Sequence, residues 1–283
     1  MEVVSAQDGG SQRFFDATNQ LVRARVDVLL VAVCGAPLDA ARRATRTVPV
    51  VVATCNDDLV ETGAVASLRR PGGNITGLSK LTPELAAKRL ELLKQTFPAV
   101  SRVAVLWNPA YSDFKADWRE TRASAQTLGM AIYPVEFRRP EEFETAFAAI
   151  EVQHVDALIT FSDFLTYVHA KRIADLAAAT RLPALYAFRE IPDAGGLMSY
   201  GPSITGMWRR AAAYVARILQ GESPADLPIE QPANFELVIN LRTAKALGLA
   251  IPESVMLRAD DVILQAMAGA GRPVRAVSTE QIA

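Results

Sequence analysis

The chain has 283 residues, half of them apolar and 22% charged, a length that holds about two domains and an apolar share that excludes disorder over most of it. Thirty basic against 31 acidic side chains leave a formal net charge of −1, which argues against a nucleic-acid binder resting on a strongly basic face. No apolar run approaches the roughly 18–20 residues of a membrane span, and the first residues, MEVVS, lack the basic, apolar and small-residue regions of a signal peptide, so on its face the chain is soluble and cytosolic.

Short, nearly continuous apolar runs alternate with longer amphipathic ones. A helix over 11–24 precedes a strand at 27–33 (DVLLVAV). A helix over 37–45 precedes a strand at 48–54 (VPVVVAT), and 59–68 reads as a further helix. Pro71-Gly72-Gly73 is the strongest turn signal, and the first block ends near 75–79. Next comes the clearest helix, 83–96, with Thr82 as N-cap, Pro83 in the first turn, and Leu85, Leu90 and Leu93 on one face. Strands at 102–107, 131–136, 155–161 and 182–186 alternate with helices at 113–128, 141–151 and 166–179. A loop-rich stretch at 191–202, a helix at 204–219 and a Pro-rich stretch at 221–233 follow. The tail after about 265 is small, polar and unpatterned, and we expect it to be disordered. Continuous rather than alternating apolar strands are covered on both faces, so the pattern predicts a doubly wound α/β fold with parallel sheets.

Ligands of such sheets bind at the carboxyl ends of strands. Those ends carry Cys34-Gly35-Ala36-Pro37, Cys55-Asn56-Asp57-Asp58, Asn108-Pro109-Ala110-Tyr111-Ser112, Ser162-Asp163-Phe164 and Ala187-Phe188-Arg189-Glu190. Small polar, amide and acidic groups with scattered aromatics suit a small polar organic molecule. Asp57, Asp58 or Asp163 suits an ammonium, and Tyr111, Phe164, Tyr186 or Tyr200 suits a ring. Each Ser, Asn or Asp there also reads as a plain helix N-cap. The candidate ligand-binding set is Cys34, Gly35, Ala36, Asn56, Asp57, Asn108, Tyr111, Ser112, Ser162, Asp163, Tyr186, Arg189 and Tyr200.

No catalytic constellation stands out. His154 lies before a strand and His169 within a helix, and there is no nucleophile elbow, phosphate loop or dinucleotide fingerprint. Nothing completes a Mg²⁺ site around Asp57-Asp58, so we expect no metal and no cofactor. Cys34 and Cys55 end consecutive strand runs at the same relative position. Neighbouring strands about 4.8 Å apart would bring them within disulfide range. Two buried, inert thiols is the reading we favour over that pairing.

Five stretches resemble one large family: 67–79 (SLRRPGGNITGLS), 85–93 (LAAKRLELL), 102–109 (RVAVLWNP), 196–203 (GLMSYGPS) and 224–248 (PADLPIEQPANFELVINLRTAKALG). The family is the ABC transporter substrate-binding proteins related to type I periplasmic binding proteins, and the resemblance covers about residues 2–264. It implies two Rossmann-like lobes joined by three crossovers, one of 1–78 and 197–221, the other of 79–196 and 222–264. It also implies a small-molecule ligand captured between the lobes by hinge closure. Function follows as an expectation: the solute-binding component of an ABC importer, taking a small polar organic molecule that is amino-acid-like or aromatic. The implied partner is an ABC permease, the location is periplasmic, and we expect a monomer without catalysis or nucleic-acid binding.

The chain departs from the family at its start. Members begin with an export signal and a first, central strand, whereas this sequence opens at what resembles the second strand, 2–5, so the first lobe is expected to be truncated. Cys34-Gly35-Ala36-Pro37 stands where members have Gly-Gly, a hydroxyl residue and Pro, and Asp57-Asp58 stands for Asp-Pro. Asn108, Pro109, Tyr200 and Gly201 match. Two other readings stay open. A ligand-sensing regulatory module of the same fold would need a helix-turn-helix, and none is present. An α/β enzyme on a small metabolite would show turnover.

Overall fold

A strand buried on both faces needs apolar residues at successive positions, and those runs do form the sheets of a computed structural model, which describes residues 10–80, 84–109, 114–232 and 234–264. The chain opens with α1 (Gly10–Arg23), β1 (Leu29–Val33), α2 (Ala36–Ala44), β2 (Val50–Cys55) and β3 (Ile75–Ser79). It continues through α3 (Glu84–Thr96), β4 (Arg102–Trp107), α4 (Phe114–Thr127), β5 (Ala131–Glu136) and α5 (Phe143–Val152). Then come β6 (Ala157–Thr160), α6 (Phe164–Val168), α7 (Ala170–Thr180), β7 (Ala184–Tyr186) and α8 (Glu190–Asp193). The last elements are β8 (Met198–Pro202), α9 (Ile204–Leu219), β9 (Phe235–Asn240), α10 (Leu241–Leu247), α11 (Glu253–Met256) and β10 (Asp261–Ile263).

Two sheets result. One has three parallel strands in the order β1-β2-β3. The other has seven in the order β10-β9-β8-β7-β6-β4-β5, parallel except for the antiparallel pair β8–β9. Alternate residues of each strand feed opposite cores, as a two-residue period requires. Val103, Val105 and Ile159 pack on one face of the larger sheet with α3, while Ala104, Leu106 and Leu158 pack on the other with α5 and α7. In the smaller sheet Val50 and Val52 face α2, and Val51 and Ala53 face α9. The fold is thus the expected α/β class with parallel-dominated sheets in two lobes.

Several local expectations need correction. Residues 59–68 form turns, not a helix. Asp58 caps one turn by accepting from Val60 N and Glu61 N, Gly63 then takes φ 64°, and Arg42 donates to the Thr62 and Gly63 carbonyls. The helix expected over 166–179 is two helices that meet at His169. The stretch read as loop at 191–202 contains β8, whose Gly201 and Pro202 disguise it; pairing with β7 and β9 makes it a strand. β8 lies in the larger sheet, and residues 222–230 run along the smaller one: Thr76 Oγ1 donates to Leu227 O, Ser79 N to Glu230 O, and Glu230 N to Gly77 O. Thr82, the stretch 2–5 and the tail from 265 lie outside the described residues. No helix among the described residues is long and apolar enough to cross a membrane.

Candidate functional site

The carboxyl ends of β1, β2, β3 and β6 converge between the two sheets. Val33, Cys34, Thr54, Asn56, Asp57, Lys80, Ser162, Asp163 and Phe164 line the space there. Its volume is about 30 Å³, room for no more than a few waters. The Asn56 side chain donates to Ser162 O across the cleft at 2.7 Å.

Each wall has a local cause. After β1 the chain turns into α2 through Gly35, whose φ of 73° is a conformation that favours glycine. Its N–H donates to Asp57 Oδ2 at 3.2 Å, tying the ends of β1 and β2 together. A disulfide joins the same two ends: Cys34 and Cys55 are bonded, with Cα atoms 5.0 Å apart. This overturns the favoured reading of two inert thiols. Parallel register aligns Val33 with Thr54, so the following residues emerge side by side. The two sulfurs and an Asp57 oxygen lie within 4.8 Å of one another, but the bonded sulfurs offer no thiolate to a metal.

On the facing wall, Asp163 caps α6, accepting from Leu165 N at 2.6 Å and Thr166 N at 3.4 Å. Burial pushes this acid up to about 6, against those backbone bonds, the Asn108 side chain and the Lys80 charge. Lys80 follows β3 directly. Its N–H donates to Cys55 O, and its ammonium sits 4.8 Å above the Phe188 ring. Burial lowers it to about 8, Asp163 opposing and Arg89 assisting.

Beneath the cleft Arg89 is 1% exposed. Its guanidinium donates to Tyr200 O at 2.9 Å, Thr160 O at 3.5 Å and Ser162 Oγ at 3.4 Å. All three acceptors are neutral; the compensating charge is Asp117 of α4, which burial raises to about 6 against the pull of Arg89. Gly201 permits this arrangement, because a Cβ there would lie 2.1 Å from Ala187 O. Lys80 and Asp163 at the cavity, with Arg89 and Asp117 behind them, gather two cations and two acids in a region of low polarity, while Trp118, edge-on to Trp107 and Phe161 at 5.3 and 5.0 Å, belongs to the core of the larger lobe. Buried groups of both signs beside a cavity that Phe164 also lines suit a small molecule that carries both charges and an apolar part.

Of the candidate residues, the structure brings Cys34, Asn56, Asp57, Ser162 and Asp163 to the cavity, with Gly35 and Ala36 at its edge. Asn108 is buried at the end of β4, beside Asp163. Tyr200 contributes its carbonyl to Arg89 while its ring lies 6.2 Å from that of Phe235. Tyr186 is not at the cleft; its ring is buried in the larger lobe among Ile191 and Phe143, under Gly196. Arg189 is engaged by Asp193, Glu236 and Asp261, so it staples β7 to β9 and β10. Tyr111 and Ser112 lie outside the described residues. Lys80, Arg89 and Asp117 were not singled out by sequence. Arg89 carried a signal: it lies four residues from both Leu85 and Leu93, inside the apolar stripe of its helix.

A family model described as "ABC transporter substrate binding protein" matches residues 4–263. A tyrosine-binding protein of Clostridioides difficile (strain R20291) is 25% identical over 221 residues, 78% of this chain. The match spans 63% of that relative's length. A conserved domain protein of Vibrio cholerae O1 biovar El Tor superposes with a TM-score of 0.81 at 27% identity, covering 91% of this chain and 86% of the other. A domain from Streptococcus pneumoniae in complex with L-Trp superposes with a TM-score of 0.79 at 25% identity, covering 90% and 87%. Together with the paired lobes and the cleft at their strand ends, these matches identify the chain as a member of the ABC transporter substrate-binding protein family.

Proposed function

We propose that this protein is the solute-binding component of an ABC importer and captures an amino-acid-like or aromatic solute between its lobes. The observation that carries this reading is the cleft itself. Strand ends from both sheets meet there, Asn56 reaches Ser162 across it, and buried charges of both signs line its floor. Lobe closure around a solute is a hinge motion, and the closed form is what a permease at the membrane recognises. The solute's carboxylate pairs with Lys80, its ammonium with Asp163 or Asp57, and its ring packs against Phe164 of the cavity lining. The protein acts outside the cytoplasm, as a monomer, and does no chemistry on its ligand. The L-Trp bound to the Streptococcus relative and the name of the Clostridioides relative support this solute class.

A thermal-shift screen against L-tryptophan, L-tyrosine and the other amino acids tests the reading. A ligand at about 100 times its dissociation constant stabilises by about 2.7 kcal/mol. A saturable rise in melting temperature with one solute class is the expected result. A cooperative melt that no amino acid or aromatic acid moves overturns the solute assignment, and conversion of a bound compound overturns the absence of catalysis.

A further inference from the structure

The Cys34–Cys55 disulfide sits where the solute reading puts the first lobe's wall, not in a remote core. Cys34 follows β1 and lines the cleft cavity; Cys55 is the last residue of β2. The next residue after Cys55 is Asn56, whose amide makes the cross-cleft bond to Ser162. The one after that is Asp57, bonded back to Gly35 beside Cys34. Cys55 O also accepts from Lys80, which follows β3. One covalent bond thus sets the spacing of two binding loops, one closure contact and one contact to the end of β3.

We propose that Cys34–Cys55 is a thiol-exchange site that controls closure of the cleft, a role that rests on the cleft being the solute site. Cys34 is 6% exposed and borders the cavity, whereas Cys55 is fully buried, so attack falls on Cys34 Sγ. A thiolate of a dithiol reductant forms a mixed disulfide with Cys34, and Cys55 Sγ leaves as thiolate and takes up a proton. The second thiol of the reductant then displaces Cys34, which also gains a proton, and the reductant departs as a cyclic disulfide with two electrons transferred to the protein. Two unbonded sulfurs need more separation than bonded ones. Reduction therefore spreads the loops after β1 and β2, moves Asn56 off Ser162, and lowers affinity for the solute.

Amide hydrogen exchange on the full chain, oxidised and then reduced with dithiothreitol, tests this without requiring a known ligand. The expected result is loss of protection, about fivefold or more, at residues 55–57 and also across the cleft at 162–166, reversed on reoxidation, while β4 and β6 keep theirs. Unchanged protection at 162–166 overturns the proposal. So does loss of protection throughout the chain, which would make the bond a staple rather than a switch. The Cys34→Ser/Cys55→Ser double variant should match the reduced chain, and a double variant that matches the oxidised chain counts against the proposal. In parallel, affinity for L-tyrosine and L-tryptophan is measured in both redox states. If neither binds in either state but exchange changes as expected, the solute assignment fails and the redox control stands; equal affinity of a binding probe in both states overturns the control.

Discussion

The seven-stranded and three-stranded sheets end at one cleft, but they are held together differently. The larger sheet buries continuous strands between two helical layers and tolerates a charged floor: Arg89 and Asp117 sit inside it, compensated by each other and by carbonyls. The smaller sheet has less to bury. β1 is half-exposed along much of its length, with Leu30 44% exposed, and its loops are tied by a disulfide and by side-chain bonds from Arg42 and Asp57. A sheet with a small core gains most from cross-links that limit the unfolded chain, whereas a large core can spend apolar burial on desolvating charges.

The largest way to break that contrast is Arg89→Ala. It removes a buried cation, leaves Asp117 and three acceptors without it, and should cost about 3–5 kcal/mol. Denaturant unfolding followed at Trp107 and Trp118 checks it, and a loss under 1 kcal/mol would mean the charge is dispensable to the larger lobe. Next comes Cys34→Ser/Cys55→Ser. Opening a loop with a sequence separation of 21 should cost about 3 kcal/mol, mostly in the smaller lobe. Calorimetry should show a lower melting temperature in the variant, with an earlier transition for that lobe. A smaller effect is expected where the lobes meet: Asn56→Ala removes one cross-cleft hydrogen bond, worth about 1 kcal/mol, and should weaken solute binding roughly fivefold with little change in the unliganded melt. Titration of L-tyrosine or L-tryptophan against both proteins measures that ratio.

The smallest effects are pH-dependent. Asp163 and Asp117 are raised by burial to about 6, so their contribution to stability is full below the ordinary carboxylate value near 3.8 and is lost as pH rises through about 6. Lys80 is lowered to about 8, so its contribution is full above 10.5 and is lost as pH falls through about 8. Melting curves from pH 4 to 10 should show both slopes. Asp163→Asn should reduce the acidic slope to the share of Asp117, and Lys80→Met should flatten the basic one, each leaving the other in place.

Much of the fold was legible because its signals are local. Arg102–Trp107 and Ala131–Glu136 are strands at the bounds their apolar runs predict, and Ile204–Leu219 is a helix between Ser203, whose hydroxyl caps it, and Gly221. The elements that escaped are those whose identity depends on a partner. Met198–Pro202 is glycine- and proline-bearing and becomes a strand through pairing on both sides, while 59–68, helical by pattern, is folded into turns by Asp58, Gly63 and Arg42. At the site, the strand-end rule reached Cys34, Asn56, Asp57, Ser162 and Asp163. It misplaced Tyr186, because alternate residues of a strand face opposite cores and position in sequence near a strand end does not say which.

By itself, then, the sequence determined the α/β class, the parallel strands, the family, and the loops from which a site would be built, since periodicity and turn chemistry act over a few residues. Tertiary structure alone decided that Cys34 and Cys55 bond, that Lys80 and Arg89 are both buried, and that β8 joins the larger sheet while Leu227 and Glu230 bond to the smaller one. Each of these depends on residues far apart in the chain, whose proximity is set by sheet register and lobe packing rather than by any local preference.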